Sequence, residues 1–194
     1  MPKLTREDLF SLEKYAEVRA DFRARIIEHK KNRRVPLGDH AALYFEDALT
    51  MQYQVQEMLR IERIFEAAGI QQELDVYNPL VPDGSNWKAT FMVEYADENE
   101  RRGALARLVG IEKDVWMRVE GFDPVSPIAN EDLERSTDDK TASVHFMRFE
   151  LTPEMVAAVK KGAEISGGIS HRNYQATLSP LPKAISDALA SDLD

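Results

Sequence analysis

The stretch ASVHFMRFEL, residues 142–151, decides the fold class of this chain. Its side chains are apolar on both alternating faces near the centre, which is typical of a strand covered on both sides. Thr152 and Pro153 follow directly, and a threonine N-cap with proline at the first helical position is a signature of a helix start. The pattern therefore predicts a central strand and then a helix to about Lys161.

The segments around this strand mix hairpins with helices. Apolar spacing and capping residues predict further helices at about residues 5–31, 47–68 and 97–108. Further strand-like segments lie at residues 41–45, on both sides of the turn Pro82-Asp83-Gly84 within 74–95, and at 163–170 and 174–178. Because strict β-α-β alternation is absent, the sequence predicts an α+β fold, a mainly antiparallel sheet flanked by helices. We expect a single domain over residues 1–194, with the N-terminal helix at about 5–31 packing on it.

Composition excludes several classes of function. The 194 residues carry a formal net charge of -9, which argues against non-specific binding to nucleic acid or to an anionic membrane. The chain has no cysteine, so disulfides, thiolate zinc sites and cysteine-held iron–sulfur clusters are excluded. The first ten residues are charged where a signal peptide is apolar, and no apolar run reaches the ~20 residues of a membrane span. We therefore expect a cytoplasmic protein.

The helix predicted at residues 47–68 carries polar side chains on its apolar face. With Met58 at the centre of that face, Gln54 and Glu62 fall within roughly 40° of it, and Glu57 lies at its margin. A carboxylate buried without a partner costs several kcal/mol, so Glu62 requires a cation, hydrogen-bond donors, a metal or a proton. Two interpretations stay open: an ion pair or an exposed stripe edge, and an acid that lines a cavity.

A histidine in the central strand adds to this candidate pocket. His145 lies beside Arg148 and is either a core histidine that holds a hydrogen bond or an acid–base or metal-binding group. If the helix packs on the strand, one pocket is lined by Gln54, Glu57, Glu62, His145 and Arg148. Carboxylate and imidazole groups could hold a divalent metal there. No ligand-spacing motif supports a metal, however, and no cofactor is identifiable.

Cationic side chains occur in two further places. HKKNRR, residues 29–34, ends the first predicted helix, where cations stabilise the helix dipole. The alternative interpretation is an anion site. The pair Gly167-Gly168 indicates a bulge or a close backbone approach rather than a phosphate loop, and the following His171 is expected to be exposed at a turn. The anion-binding candidates are Arg33, Arg34, His171 and Arg172.

Four long segments carry a resemblance to a known family. They are HKKNRRVPLGDHAALYFED (29–47), QYQVQEMLRIERIF (52–65), YNPLVPDGSNWKATFMVEY (77–95) and KTASVHFMRFELTPEM (140–155). The chain resembles an uncharacterised bacterial family known only as a domain of unknown function. The resemblance implies no settled activity and no catalytic residues. It does imply a setting, because genes of this family tend to lie beside rubrerythrin and an iron–sulfur oxidoreductase, which suggests peroxide or oxygen defence.

Three hypotheses about function follow. The leading one is a non-catalytic accessory or partner-binding protein of a bacterial redox or oxidative-stress system. Residues 1–35 carry a net charge of +4 against -13 in the remainder and could dock on an acidic surface of their own fold or of a second copy, and we expect a homo-oligomer. The second hypothesis is a metal-dependent or acid–base enzyme with a Glu/Gln/His-lined pocket. The third is a small-anion-binding protein.

Overall fold

The strands form two antiparallel sheets. The structure, a computed structural model, describes residues 3–133, 135–137 and 139–194. Its strands are β1 (Arg34–Pro36), β2 (Ala41–Phe45), β3 (Asn86–Val93), β4 (Val115–Val119), β5 (Ile128–Ala129), β6 (Val144–Glu150), β7 (Ile165–His171) and β8 (Tyr174–Leu178). The larger sheet has the order β1-β2-β3-β6-β5, and the smaller one has the order β4-β7-β8.

Six α-helices accompany these sheets in the described part of the chain. They are α1 (Leu12–Lys31), α2 (Ala48–Glu62), α3 (Ala67–Tyr77), α4 (Glu98–Arg107), α5 (Pro153–Lys160) and α6 (Lys183–Ser191). Short 3-10 helices lie at Arg6–Asp8, Asn78–Leu80 and Ile111–Lys113. The predicted α+β class with mainly antiparallel pairing is confirmed, and the strands divide between two sheets.

The segment that decided the class is an interior strand, as predicted. β6 pairs with β3 on one side and with β5 on the other. Its buried residues alternate strictly with half-buried ones, so that His145, Met147 and Phe149 share the inner face. The helix start after it is also confirmed, because the Thr152 side chain accepts a hydrogen bond from the Met155 amide at 3.3 Å.

One apolar core joins the two sheets and the C-terminal helices. Trp87, Phe91 and Phe149 are fully buried in it, together with Leu189 of α6. The Trp87 indole Nε1 donates a hydrogen bond to the Leu189 carbonyl at 3.0 Å. This bond satisfies the polar atom of a fully buried ring and ties β3 to α6.

The first three helices bury a second set of apolar residues. Met51, Val55 and Leu59 of α2 pack with Leu74 of α3. On α1, Tyr15, Phe22 and Ile26 form a neighbouring cluster. The N-terminal helix therefore packs mainly on α2, and it begins at Leu12 rather than near residue 5 because Ser11 is its N-cap. Thr5 and Asp8 form a capping box, but it starts only a single 3-10 turn.

The helix predicted at residues 47–68 ends earlier than expected. Arg63 adopts a left-handed conformation with φ 56°, which stops α2 at Glu62. A new helix, α3, then covers residues 74–77, which the sequence pattern predicted as a strand. That strand prediction was wrong because a short apolar run fits a helix and a strand equally well. The helix is favoured here because it buries Leu74 against α2.

The double glycine permits a close approach between strands of the smaller sheet. A Cβ on Gly168 would lie 2.4 Å from Trp116 Cζ2 and 2.7 Å from the Ala176 carbonyl oxygen. The Trp116 ring is held by a 3.0 Å hydrogen bond to Ser170 Oγ. The close approach expected from the sequence is therefore confirmed, because no Cβ fits at this position.

We predict that Gly168→Ala destabilises the protein by about 1–3 kcal/mol, since the added methyl group collides with a ring and a backbone oxygen. Gly103→Ala in α4 is the control, because its Cβ meets only Arg107 Nη1, at 3.4 Å. That change should stabilise the helix by roughly 0.5–1 kcal/mol. Urea unfolding measures both, and equal stabilities of the two variants would contradict the prediction.

Candidate functional site

The buried face of α2 differs from the predicted one. Met51, Val55, Gln56 and Leu59 are buried, whereas Gln54 is half-buried and Glu62 is exposed. The prediction that Glu62 lies on the buried face is therefore wrong, and Gln54 is only half-buried. Of the two interpretations left open, the exposed stripe edge is the one observed for Glu62. Two exposed apolar residues shifted the predicted centre of the apolar stripe away from the buried face: Ile61 near the end of α2, and Phe65 beyond it.

Gln56 is fully buried, although at about 100° per residue it lies on the opposite side of the helix from Met58. Its side-chain oxygen accepts a hydrogen bond from the Phe10 amide at 2.5 Å, and its amide donates to the Phe10 carbonyl at 3.4 Å. The N-terminal segment covers this face of α2 with its backbone, and an amide side chain satisfies both backbone groups. Helical periodicity contains no information about such a distant segment.

Glu57 is held by an ion pair between two helices. Its carboxylate accepts hydrogen bonds from Arg19 Nε and Nη2, both at 2.8 Å, and from the Tyr15 hydroxyl at 2.7 Å. The bonds from Arg19, opposed by burial and aided by Tyr15, lower the pKa of Glu57 from its ordinary value to about 2. Glu57 is thus a fixed anion that joins α2 to α1.

The two strand residues of the predicted pocket lie on opposite faces of β6. His145 and Arg148 are three positions apart, and side chains alternate between faces along a strand. His145 is fully buried, whereas Arg148 lies on the half-buried face. Two separate cavities result, on the two sides of the short strand β5. Ile128 lines one of them, and Ala129 lines the other.

The cavity on the Arg148 side is an apolar groove of about 550 Å³. We call it the apolar groove; α3 and the turn after it contribute Val76, Tyr77 and Leu80, and the sheet contributes Lys88, Ile128, Phe146 and Arg148. Arg148 donates hydrogen bonds to Glu131 at 2.9 and 2.7 Å and also pairs with Glu150. Its charge is therefore satisfied within the chain.

The cavity on the His145 side is polar and has a volume of about 300 Å³. We call it the polar pocket; it is lined by Glu112, Lys113, Pro127, Ala129, Asn130 and Ser136. The His145 ring lies behind this wall, with Nε2 2.9 Å from Thr141 Oγ1 and Nδ1 3.1 Å from Asn130 Nδ2. Burial lowers the pKa of His145, and the negative charge of Glu112 opposes this effect. Burial therefore disfavours the charged form of the imidazole.

Two hydroxyl groups connect this histidine to a buried carboxylate. Ser136 Oγ donates to Glu112 Oε1 at 3.1 Å, and Thr141 Oγ1 donates to Oε2 at 3.4 Å. Glu112 is only 3% exposed. Asn130, on the same wall, adopts a left-handed conformation with φ 57°. No sequence pattern marks Glu112, Ser136 or Thr141, because Glu112 lies in a single 3-10 turn and the other two lie in irregular segments, where periodicity does not indicate burial.

The anion-binding candidates fall into different environments. Arg33 is buried and already bound to carboxylates, at 2.8 Å to Asp192 and 2.8 Å to Asp47. Arg34 is exposed and bonds to Glu94 at 3.1 Å. His171 is buried rather than exposed as expected, and its Nε2 lies 3.2 Å from the Val109 carbonyl oxygen. Arg172 is exposed.

These contacts argue against an anion site at Arg33. Arg33 is the most buried of the candidate cations, and its guanidinium already binds two carboxylates of the chain itself. Arg34 and Arg172 are exposed, and anion binding by them stays a prediction.

Neither metal ligands nor a membrane span can be assigned in the part of the chain that the structure describes. Across residues 3–133, 135–137 and 139–194, no three His, Asp or Glu side chains converge on a point where a metal ion could bind. Within the same residues, no helix has the length and apolar character needed to cross a bilayer.

Comparison with known proteins assigns the chain to a family. The family model described as "Protein of unknown function (DUF3501)" matches residues 3–193. The chain belongs to this family. It is also similar to a crystal structure described as a novel protein of unknown function from Burkholderia pseudomallei, with 53% sequence identity, 100% of both chains covered and a TM-score of 0.94. No curated protein matches. The resemblance to an uncharacterised family is thereby confirmed, and the family assigns no activity.

We predict that Arg33→Met costs about 3–5 kcal/mol of stability, because it leaves Asp192 and Asp47 buried without their cation. The adjacent Arg34→Met is the matched control, since its side chain is 43% exposed, and it should cost under about 1 kcal/mol. Denaturant unfolding of both variants measures the difference. A cost for Arg33→Met as small as that for Arg34→Met would contradict a structural role of the buried pair.

We also predict a pH-dependent cost for Glu57→Gln. The pKa of Glu57 is about 2 in the folded protein and 4.5 ordinarily, so its stabilisation is complete above pH 4.5 and is lost as the pH falls towards 2. Since Arg19 is 35% exposed, we expect about 1–2 kcal/mol at pH 7 and clearly less at pH 3. Glu17→Gln, which removes an exposed pair with Lys14, is the control. A pH-independent cost for Glu57→Gln would contradict the ion-pair explanation.

Proposed function

We propose that the protein is a non-catalytic, partner-binding accessory protein of a bacterial redox or oxidative-stress system, and that it acts in the cytoplasm through the apolar groove. One observation carries the proposal. The groove is open at the surface and bordered by exposed apolar side chains, with Val76 63% and Ile128 43% exposed. Contiguous exposed apolar surface of this kind is typical of a binding site for another protein.

The floor of the groove lies at the edge of the larger sheet. β5 is the last strand in the order and has two residues, so within the described residues it has a strand partner on one side only. Facing it, α3 and the following 3-10 turn form a wall of apolar side chains. A partner segment that enters the groove therefore contacts an apolar wall and a free strand edge, and both favour protein over small-molecule occupants.

Lys88 indicates the charge of the partner segment. It projects from β3 into the groove, and its Nζ donates a hydrogen bond to the Pro79 carbonyl oxygen. Among the described residues no carboxylate lies within 4.0 Å of it. Burial lowers its pKa, and the more distant carboxylates of Asp83, Glu131 and Glu150 oppose that shift. Arg148, its neighbour across the strands, already has two carboxylate partners. We infer that the partner contributes apolar side chains and one carboxylate opposite Lys88.

The resemblance drawn from the sequence supports the identity of the partner. It implies a setting beside rubrerythrin and an iron–sulfur oxidoreductase, and an accessory protein without cysteine or a metal-ligand cluster in its described residues needs a redox partner to take part in such a system. We therefore propose one of these two proteins as the occupant of the groove.

The test measures binding of purified rubrerythrin and purified iron–sulfur oxidoreductase from the same organism to the immobilised chain. We expect one of them to bind and Val76→Asp to weaken that binding at least about tenfold, since a charge in the apolar wall is desolvated by the partner. Ile61→Asp is the matched control, because Ile61 is 61% exposed on α2 and does not line the groove. Lys88→Gln should weaken binding less than Val76→Asp does.

The opposite results are equally specific. If neither protein binds, or if Val76→Asp and Ile61→Asp weaken binding alike, the groove is not the docking surface for this redox system. Sedimentation of the chain alone tests the remaining occupant, a second copy. Self-association that Val76→Asp abolishes and Ile61→Asp leaves intact would assign the groove to an oligomer interface instead.

A further inference from the structure

Glu112 is a buried carboxylate whose charge is not balanced within the described residues. Its two oxygen atoms accept hydrogen bonds from neutral hydroxyl groups only, and no Lys or Arg nitrogen among those residues lies within 4.0 Å of it. Buried charges in proteins are normally paired, because an uncompensated one costs several kcal/mol. His145 forms no ion pair with Glu112 either, because its Nε2 contacts Thr141 Oγ1 and the Ala142 carbonyl oxygen, and burial lowers its pKa.

Other buried carboxylates of this chain do have a cation. Asp47 and Asp192 bind Arg33, and Glu57 binds Arg19. Glu46 is the closest parallel to Glu112, since it also accepts bonds from two hydroxyl groups, those of Thr50 and Thr90. Glu46, however, interacts electrostatically with Arg33 and does not line the polar pocket. Glu112 differs from all of them because a cavity lies beside it.

The polar pocket limits the size and chemistry of a ligand. Its volume of about 300 Å³ is at the lower end of the range for small-molecule sites. A carboxylate has about four acceptor positions, and Ser136 and Thr141 use two of them at Glu112. The others remain for N–H donors. Asn130 lies on the same wall, where its unusual φ of 57° turns the chain at the pocket.

We propose that the polar pocket binds a small organic cation, whose ammonium or guanidinium group donates hydrogen bonds to the Glu112 carboxylate. A divalent metal fits this wall less well, because Glu112 is the only carboxylate among the described residues that line it and the other polar side chains are the Lys113 ammonium, an amide and a hydroxyl. The site is separate from the apolar groove, and it stands whether or not that groove binds a redox partner.

Calorimetric titration of the whole chain tests the site with three probes at constant ionic strength: n-propylammonium chloride, methylguanidinium chloride and neutral 1-propanol. We expect at least one cation to bind with a Kd below about 10 mM, a range accessible to so few atoms. The alcohol, which has a similar shape and no charge, should bind at least about tenfold more weakly. Failure of both cations, or equal binding of the alcohol, would overturn the proposal.

Variants locate the binding. Glu112→Gln keeps the shape and removes the charge, so it should abolish binding of the cations. Glu46→Gln is the matched control, since it neutralises another buried carboxylate with two hydroxyl donors, and it should leave binding intact. If Glu112→Gln does not fold, Ser136→Val narrows the pocket at a half-buried position and should weaken binding in its place. Unchanged cation binding by Glu112→Gln would refute the site. If Glu112→Gln does not fold, unchanged cation binding by Ser136→Val would refute it instead.

Discussion

The buried guanidinium of Arg33 is the contact on which the arrangement of the elements depends. It lies between α1 and β1, and it binds Asp47 at the start of α2 and Asp192 at the end of α6. His29 on α1 adds a contact of 2.6 Å to the same Asp47 carboxylate. Because a lone buried charge is so unfavourable, Arg33 stabilises the packing of the α1–β1 junction against the start of α2 and the end of α6. Burial, opposed by Arg33, raises the pKa of Asp192.

The same rule about buried charge separates structural groups from functional ones. Arg33 and Glu57 have their opposite charges inside the chain and therefore hold elements together. Glu112 is also withdrawn from water, yet only neutral hydroxyl groups among the described residues donate hydrogen bonds to it. A missing opposite charge at a cavity is a physical reason to expect a ligand or a partner. Composition and family membership alone give no such reason.

The alternation of one strand explains why two separate cavities exist. His145 and Arg148 were expected to share a pocket, but three positions along β6 place them on opposite faces. β5 then completes both cavities, with Ile128 in the apolar groove and Ala129 in the polar pocket. The similar protein from Burkholderia pseudomallei shares this fold over 100% of both chains.

The sequence alone determined what depends on neighbouring residues. The interior position of β6, the Thr152 cap, the helix that Asp97 caps and the close approach at Gly168 all follow from local pattern and sterics. Tertiary structure alone decided which face of α2 is buried, because Phe10 covers Gln56 from 46 residues away. It also decided that Arg33 meets Asp192, 159 positions later, and that Glu112 borders a cavity. Periodicity shows which side chains could be buried, whereas the partner that buries them comes from elsewhere in the chain.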